Sequence, residues 1–356
     1  MNDTSSWQDI LANKSFKEIK LEIYSDEIWC VESPEDHSLW MYLGSLFVPL
    51  ESKEHYLKML TNLRCIGSNE WKQNKIDCTH SCKYHERNDT EIHYKDLDRS
   101  NARFKIADSW VRKVINRVGA GDNKLYINIL GLNLSNMNMS SFGKNKTNDM
   151  IIYNRFYRTL LLSGLNYFFK NYEKITINKI YHDNGGQSHD NLFPWHSIHK
   201  INLDSNKINI LDNIIKFLES DHRNSKRAES NFIQLIDLAL GATYCLLHDP
   251  SKKEYKIKIG QAFEPTLKIL LDRKRASNSN ALYGDYYNSR YYRTYQVSFF
   301  PKDKIDPDNV VEQLDVFGDH SGDLTKRDNF YYNRKILQRG KVQTSLEGWF
   351  EKTKHI

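Results

Sequence analysis

Residues 20–28 read KLEIYSDEI, and the alternation in this stretch decides the fold class. Leu21, Ile23 and Ser25 point one way along an extended chain, and Glu22, Tyr24 and Asp26 point the other. The stretch reads as an early strand that delivers the Asp26 carboxylate at its end, before the chain turns through Ile28, Trp29 and Cys30. A carboxylate in that place is either a solvated charge on an edge strand or the first ligand of a metal site.

Working outward, Pro34 punctuates a polar turn, and residues 39–50 (LWMYLGSLFVPL) form a second apolar strand closed by Pro49. The two strands read as an antiparallel hairpin. Helical spacing follows over residues 51–64 and 101–118, a strand over 124–134 (KLYINILGLNL), and an almost all-round apolar helix over 151–169. Residues 174–183 (KITINKIYHD) alternate as a strand that ends in Asp183. Residues 197–203 read as a strand, 208–220 as a helix, and 228–248 (AESNFIQLIDLALGATYCLLH) as a second long apolar helix. A hairpin followed by alternating helices and strands predicts an α/β layer architecture. Composition changes near Asp249, which divides the chain into a lead-in (1–19), a core (20–249) and a C-terminal α+β extension (250–356).

The bulk properties narrow the class of function. The 356 residues are 39% hydrophobic, enough for a sizeable core, and carry a net charge of +6. That balance permits a nucleic-acid partner without demanding one. Five scattered cysteines do not make a disulfide framework for a chain of this size. No apolar run reads as a membrane span, and the first residues (MNDTSSWQDI) lack the pattern of a signal peptide. The expectation is a cytoplasmic protein without a membrane partner; the oligomeric state stays open, a homo-oligomer included.

Four carboxylates stand out by position: Asp26, Glu91 at the head of the short β-like run EIHY, Asp183, and Asp237 within IQLIDLALGA. The last is the most informative. An Asp among Ile233, Leu235, Ile236, Leu238, Ala239 and Leu240 is costly to bury without a cation, a hydrogen-bond network or a wet cleft. If Asp26 and Asp183 share one edge of a sheet, a helix packed across it brings Asp237 to them. Such a group repels itself unless divalent cations neutralise it, and its hard oxygens suit Mg²⁺ or Mn²⁺. Each acid taken singly has a plainer reading, as a turn residue, a surface charge or the partner of an Arg or Lys.

SDE on the first strand, Gly44 in the hairpin, EIHYKDL, a strand ending in Asp, and QLIDLALGA come in an order that resembles an uncharacterised bacterial RNase H-like family. The resemblance spans roughly residues 20–248, and QLIDLALGA is its most specific part. In that family the late helix reads like Gln-Leu-Ala-Asp-Leu and the early acidic motif like Glu-(Ile/Leu)-Lys. This chain departs from it in having Glu27, Ile28 and Trp29 where small residues are usual, and His93 where Lys is commoner. The resemblance implies an RNase H-like mixed sheet flanked by helices. It also implies that Asp26, Glu91, Asp183 and Asp237 are catalytic acids that bind metal for two-metal hydrolysis of DNA or RNA phosphodiesters. It further suggests a setting of mobile elements or antiviral defence, with a defence-system partner protein. The alternative is a non-catalytic nucleic-acid-binding or complex-forming module on the same fold.

Secondary candidates complete the reading. His182, next to Asp183, is a proton carrier, a phosphate contact or an ordinary strand-end histidine. Arg223, Lys226 and Arg227 in HRNSKR precede the Asp237 helix and suit phosphate, or form a solvated loop. Arg290 and Arg293 sit in the tyrosine-rich run YGDYYNSRYYRTY, which suits stacking on unpaired bases or a half-buried hairpin. Cys78, Cys82 and His85, with His80 between and Cys65 upstream, offer a structural Zn²⁺ site or free thiols in a polar loop. Residues 184–199, with His189, His196 and His199, read as a substrate loop or a structured surface loop.

Overall fold

The computed structural model describes residues 17–34, 37–66, 82–118, 121–137, 149–185, 198, 200–212, 215–221, 228–248, 252–271 and 293–300. Seven strands form one mixed sheet: β1 (Glu18–Glu32), β2 (Leu39–Pro49), β3 (Tyr126–Asn133), β4 (Lys174–Asp183), β5 (Ile208–Ile210), β6 (Ile215–Leu218) and β7 (Tyr295–Phe300). Six helices are labelled: α1 (Leu50–Asn62), α2 (Lys83–Asn88), α3 (Ala102–Lys113), α4 (Asp149–Phe168), α5 (Ser230–His248) and α6 (Glu254–Leu271). The strand order is β5-β4-β1-β2-β3-β7, with β6 also on β4. β1, β2 and β3 run antiparallel in succession, whereas β4 is parallel to β1 and β7 parallel to β3. The protein is thus α/β, with helices on both faces of a mixed sheet.

The alternation in β1 assigns the two faces. Tyr24 stacks between Tyr181 and Phe232, so Glu22, Tyr24 and Asp26 face α5. Tyr157 donates to Ser25 Oγ at 3.1 Å, so the other set faces α4. α5 lies across β1 and β2, and α6 packs over α5 and α3. Gly44 permits this approach, since a Cβ there would stand 2.9 Å from both Ile236 and Leu240. α5 is long and apolar enough to cross a membrane, but 94% of its apolar stretch is buried inside the protein. It is the central core helix.

Four local readings change. β1 does not end near Asp26 but continues through an irregularity after Ile28 to Glu32, because β2 goes on pairing with it as far as Leu39. Ile208–Ile210 and Ile215–Leu218 are strand pieces where a helix was expected over 208–220; both lie parallel on β4, with Ile208 and Ile210 buried and Asn209 exposed between them. The Ile201–Asp204 segment is one helical turn where a strand was expected. EIHY is no strand either: the Ile92 N–H donates to Gln234 Oε1 at 2.9 Å and the Tyr94 N–H to Asp237 Oδ2 at 2.6 Å. Helix side chains thus take the place of a ladder. Beyond residue 249, α6 covers α5, and β7 extends the sheet beside β3.

Candidate functional site: a coupled acid cluster

Asp26 and Asp183 are neighbours across the β1–β4 seam. The parallel register ends with Ser25 opposite His182, so the next residue on each strand is a carboxylate directed to the α5 face. Asp237, in the middle of α5, approaches the same place from above. Burial raises Asp26 well above the usual carboxylate range, and Asp237, Asp183 and Glu27 raise it further. Asp183 is pushed up to about 6 by burial and then by Asp237, against the pull of His93 and the Asn184 N–H. Asp237 is raised by burial, against His93 and the N–H of Tyr94, with Glu91 pushing it up. The four sequence-selected acids therefore meet in one electrostatic group.

Glu91 reaches the group through a scaffold that periodicity does not reveal. Arg64 is fully buried at the end of α1. It donates to Asn231 Oδ1 at 3.0 and 2.7 Å, to Gln234 Oε1 at 2.7 Å and to the Thr90 carbonyl at 2.7 Å, while its guanidinium lies over Trp110. This ties residues 90–92 to the first turns of α5. Ser220 Oγ then donates to Glu91 Oε1, and Gln234 Nε2 to the Ser220 carbonyl. One helical turn on, His93 Nδ1 stands 3.4 Å from Asp237 Oδ1. Gly241 makes room for this strap, since a Cβ there would lie 2.1 Å from the Tyr94 ring. Lys256 of α6 lies over that ring, 5.3 Å from its centroid, and feels the charge of Asp237. Arg64, Gln234, Gly241 and Lys256 act only through contacts between distant parts of the chain; Gln234 and Gly241 stand inside QLIDLALGA, but Arg64 and Lys256 lie outside every motif.

His182 does not join the acids. It is fully buried on the α4 face, with Nε2 beside the Tyr153 hydroxyl and 3.5 Å from Glu27 Oε2, and with Nδ1 2.8 Å from the Asp183 carbonyl. Burial lowers its pKa to about 4, against the effect of that carbonyl. Glu27, the residue that replaces a small one in the motif, is thus committed to the opposite face of the sheet. The register places His182, Ser25, Ser45, Asn128 and Gln296 in one buried polar row across five strands under α4. Arg293, just ahead of β7, is exposed and close enough to Tyr126 to influence it, with β2 and β3 between it and β1, and it is displaced towards the amino-terminal end of β1. Arg223, Lys226, Arg227, Arg290, Cys78 and the loop histidines His189, His196 and His199 lie outside the described residues.

The donor chemistry of the acid cluster fits a hard divalent cation: carboxylate oxygens whose charged forms disfavour one another. Among the described residues, no three His, Cys, Asp or Glu side chains already close around a single ion position. The acids form a coupled group, not a finished coordination shell. No protein-family model matches this chain, and a search of curated proteins finds no match to it.

Proposed function

We propose that the protein is a divalent-metal-dependent nuclease on an RNase H-like core, hydrolysing phosphodiester bonds of DNA or RNA. The observation that carries this reading is the coupling of Asp26, Asp183 and Asp237. Asp26 and Asp237 are buried and Asp183 is half-buried beside them; Asp237 raises both strand acids, and Asp183 raises Asp26 further, an arrangement that clusters at functional sites. The strand order supports it as well: three antiparallel strands in sequence, then parallel additions beside β1, with the acids at the seam where β1 and β4 part. Parallel sheets commonly bind ligands beyond the carboxyl ends of their strands.

Asp26, Glu91, Asp183 and Asp237 are the residues that would hold Mg²⁺ or Mn²⁺. Bound there, the ions would supply an acidified water and neutralise charge at the scissile phosphate. Asp237 is oriented by the Tyr94 N–H and His93, and Glu91 by Ser220. Arg64 and Gln234 are positioning residues for Glu91.

The test is cleavage of single- and double-stranded DNA and RNA by the purified chain with Mg²⁺ or Mn²⁺. Expected are loss of cleavage with EDTA and a fall of about 100-fold or more in Asp237→Asn and in Asp26→Asn, each with a wild-type circular-dichroism spectrum. Cleavage unchanged in both variants overturns the site. Calorimetry separates this reading from a non-catalytic nucleic-acid module, which would bind substrate without divalent binding that depends on Asp237.

A further inference from the structure

Away from the acids, two sulfurs and an imidazole meet where the end of α1 touches α2. Cys65 and His85 are buried, and Cys82 is partly so. Cys82 Sγ lies 3.5 Å from Cys65 Sγ, and His85 Nδ1 lies 4.0 Å from Cys65 Sγ. Cys82 caps α2 by accepting the His85 N–H at 3.3 Å, so these two residues share one turn. On the far side of the ring, Asp89 Oδ1 is 3.8 Å from His85 Nε2.

These separations can be compared with a tetrahedral zinc site. Zn–S bonds of about 2.3 Å and Zn–N bonds of about 2.0–2.1 Å give S···S edges near ~3.8 Å and S···N edges near ~3.6 Å. The observed 3.5 and 4.0 Å differ from these by a few tenths of an ångström; the three side chains do not already enclose an ion position, and small side-chain rotations would bring them to one. The 3.5 Å separation is too long for a disulfide, whose S–S bond is about 2.05 Å. Asp89 stands behind the histidine ring, where a carboxylate is the usual outer partner of a metal-binding imidazole, at a separation longer than a hydrogen bond.

α2 itself supplies the second argument. It has six residues, and its buried ones are His85 and Asn88. A helix that short does not hold its shape alone, and this one buries no apolar side chain. Asn88 bonds the carbonyls of Arg64 and Ile66 at 3.0 and 3.2 Å, which joins the same two segments the sulfurs join.

We propose that Cys65, Cys82 and His85 Nδ1 bind one structural Zn²⁺, supplying three ligands of a tetrahedral site that fastens the segment leading to Glu91 against the end of α1. The ion displaces two thiol protons, leaving two thiolates and a neutral imidazole, with no change of oxidation state. Of the sequence-selected zinc candidates, Cys78 lies outside the described residues, and the site is argued without it. The proposal does not depend on the nuclease reading.

The experiment is elemental analysis of the full chain purified without chelator, followed by Co²⁺ replacement. Expected are about one zinc per chain, a thiolate-to-cobalt charge-transfer band, and loss of both in Cys65→Ser and Cys82→Ser. If the variants fail to fold, a mercurial titration of the wild-type chain should release zinc in step with thiol modification. Asp237→Asn should keep its zinc, which separates this site from the acid cluster. Zinc-free protein without a cobalt thiolate band overturns the proposal, as does zinc retained in both serine variants or a mass showing a Cys65–Cys82 disulfide.

Discussion

Asp183 holds its proton to about pH 6 because burial disfavours its charged form and Asp237 repels it. Its ordinary value is 3.8, so the folded chain binds this proton more tightly than the unfolded chain. The resulting stabilisation is fully present below the unfolded value and is lost as pH rises through the folded one. Metal-free wild-type protein should therefore lose stability relative to Asp183→Asn as pH is raised from about 4 to about 7. Urea midpoints of the two proteins across that range measure the difference. His182, lowered to about 4 by burial, contributes the opposite slope, but it is common to both proteins and cancels in the comparison. Parallel midpoints would remove the coupling on which the acid cluster rests.

At the scale of elements, the EIHY strap is the part most exposed to single changes. Among the described residues it has no strand partner; α5 side chains and the Tyr94 ring seated on Gly241 hold it. Gly241→Ala would place a Cβ 2.1 Å from that ring, so the strap must move. The expected cost is about 1–3 kcal/mol, read by chemical denaturation, together with loss of any Asp237-dependent divalent binding. Wild-type stability and binding in this variant would mean that Tyr94 does not anchor the strap. The same scale explains which elements were legible. β1 and β4 alternate strongly enough to be read, β2 and β3 show as apolar runs of strand length, and α5 declares itself as an apolar run around one Asp. Residues 208–218 were not legible, because isoleucines at short spacing suit a helix face as well as two brief strands. Only contact with β4 decides between them.

Across the whole molecule, the region after residue 249 differs in composition yet contributes to the same core. Ile259, Phe263 and Leu267 of α6 are buried, and the Tyr295 hydroxyl of β7 reaches the Ile115 carbonyl. A chain cut after His248 would uncover the outer side of α5 and leave β3 as an open edge. It should be aggregation-prone and less stable than the full chain, as checked by size-exclusion chromatography and thermal unfolding. A monomeric fragment of full stability would show that α6 and β7 are accessory.

The sequence by itself determined the layer class, the face on which Asp26 stands and the cost of burying Asp237. All three follow from period and polarity within a few residues. It also singled out the four acids, but left each with an innocent alternative. Only the tertiary structure decided that they share one electrostatic environment, that His182 belongs to the other face, and that Arg64, Gln234 and Gly241 carry Glu91 and Tyr94 to α5. These relations join residues as far apart in the chain as Asp26 and Asp237. Local pattern holds no record of such distances, whereas repulsion, burial and hydrogen bonding depend on nothing else.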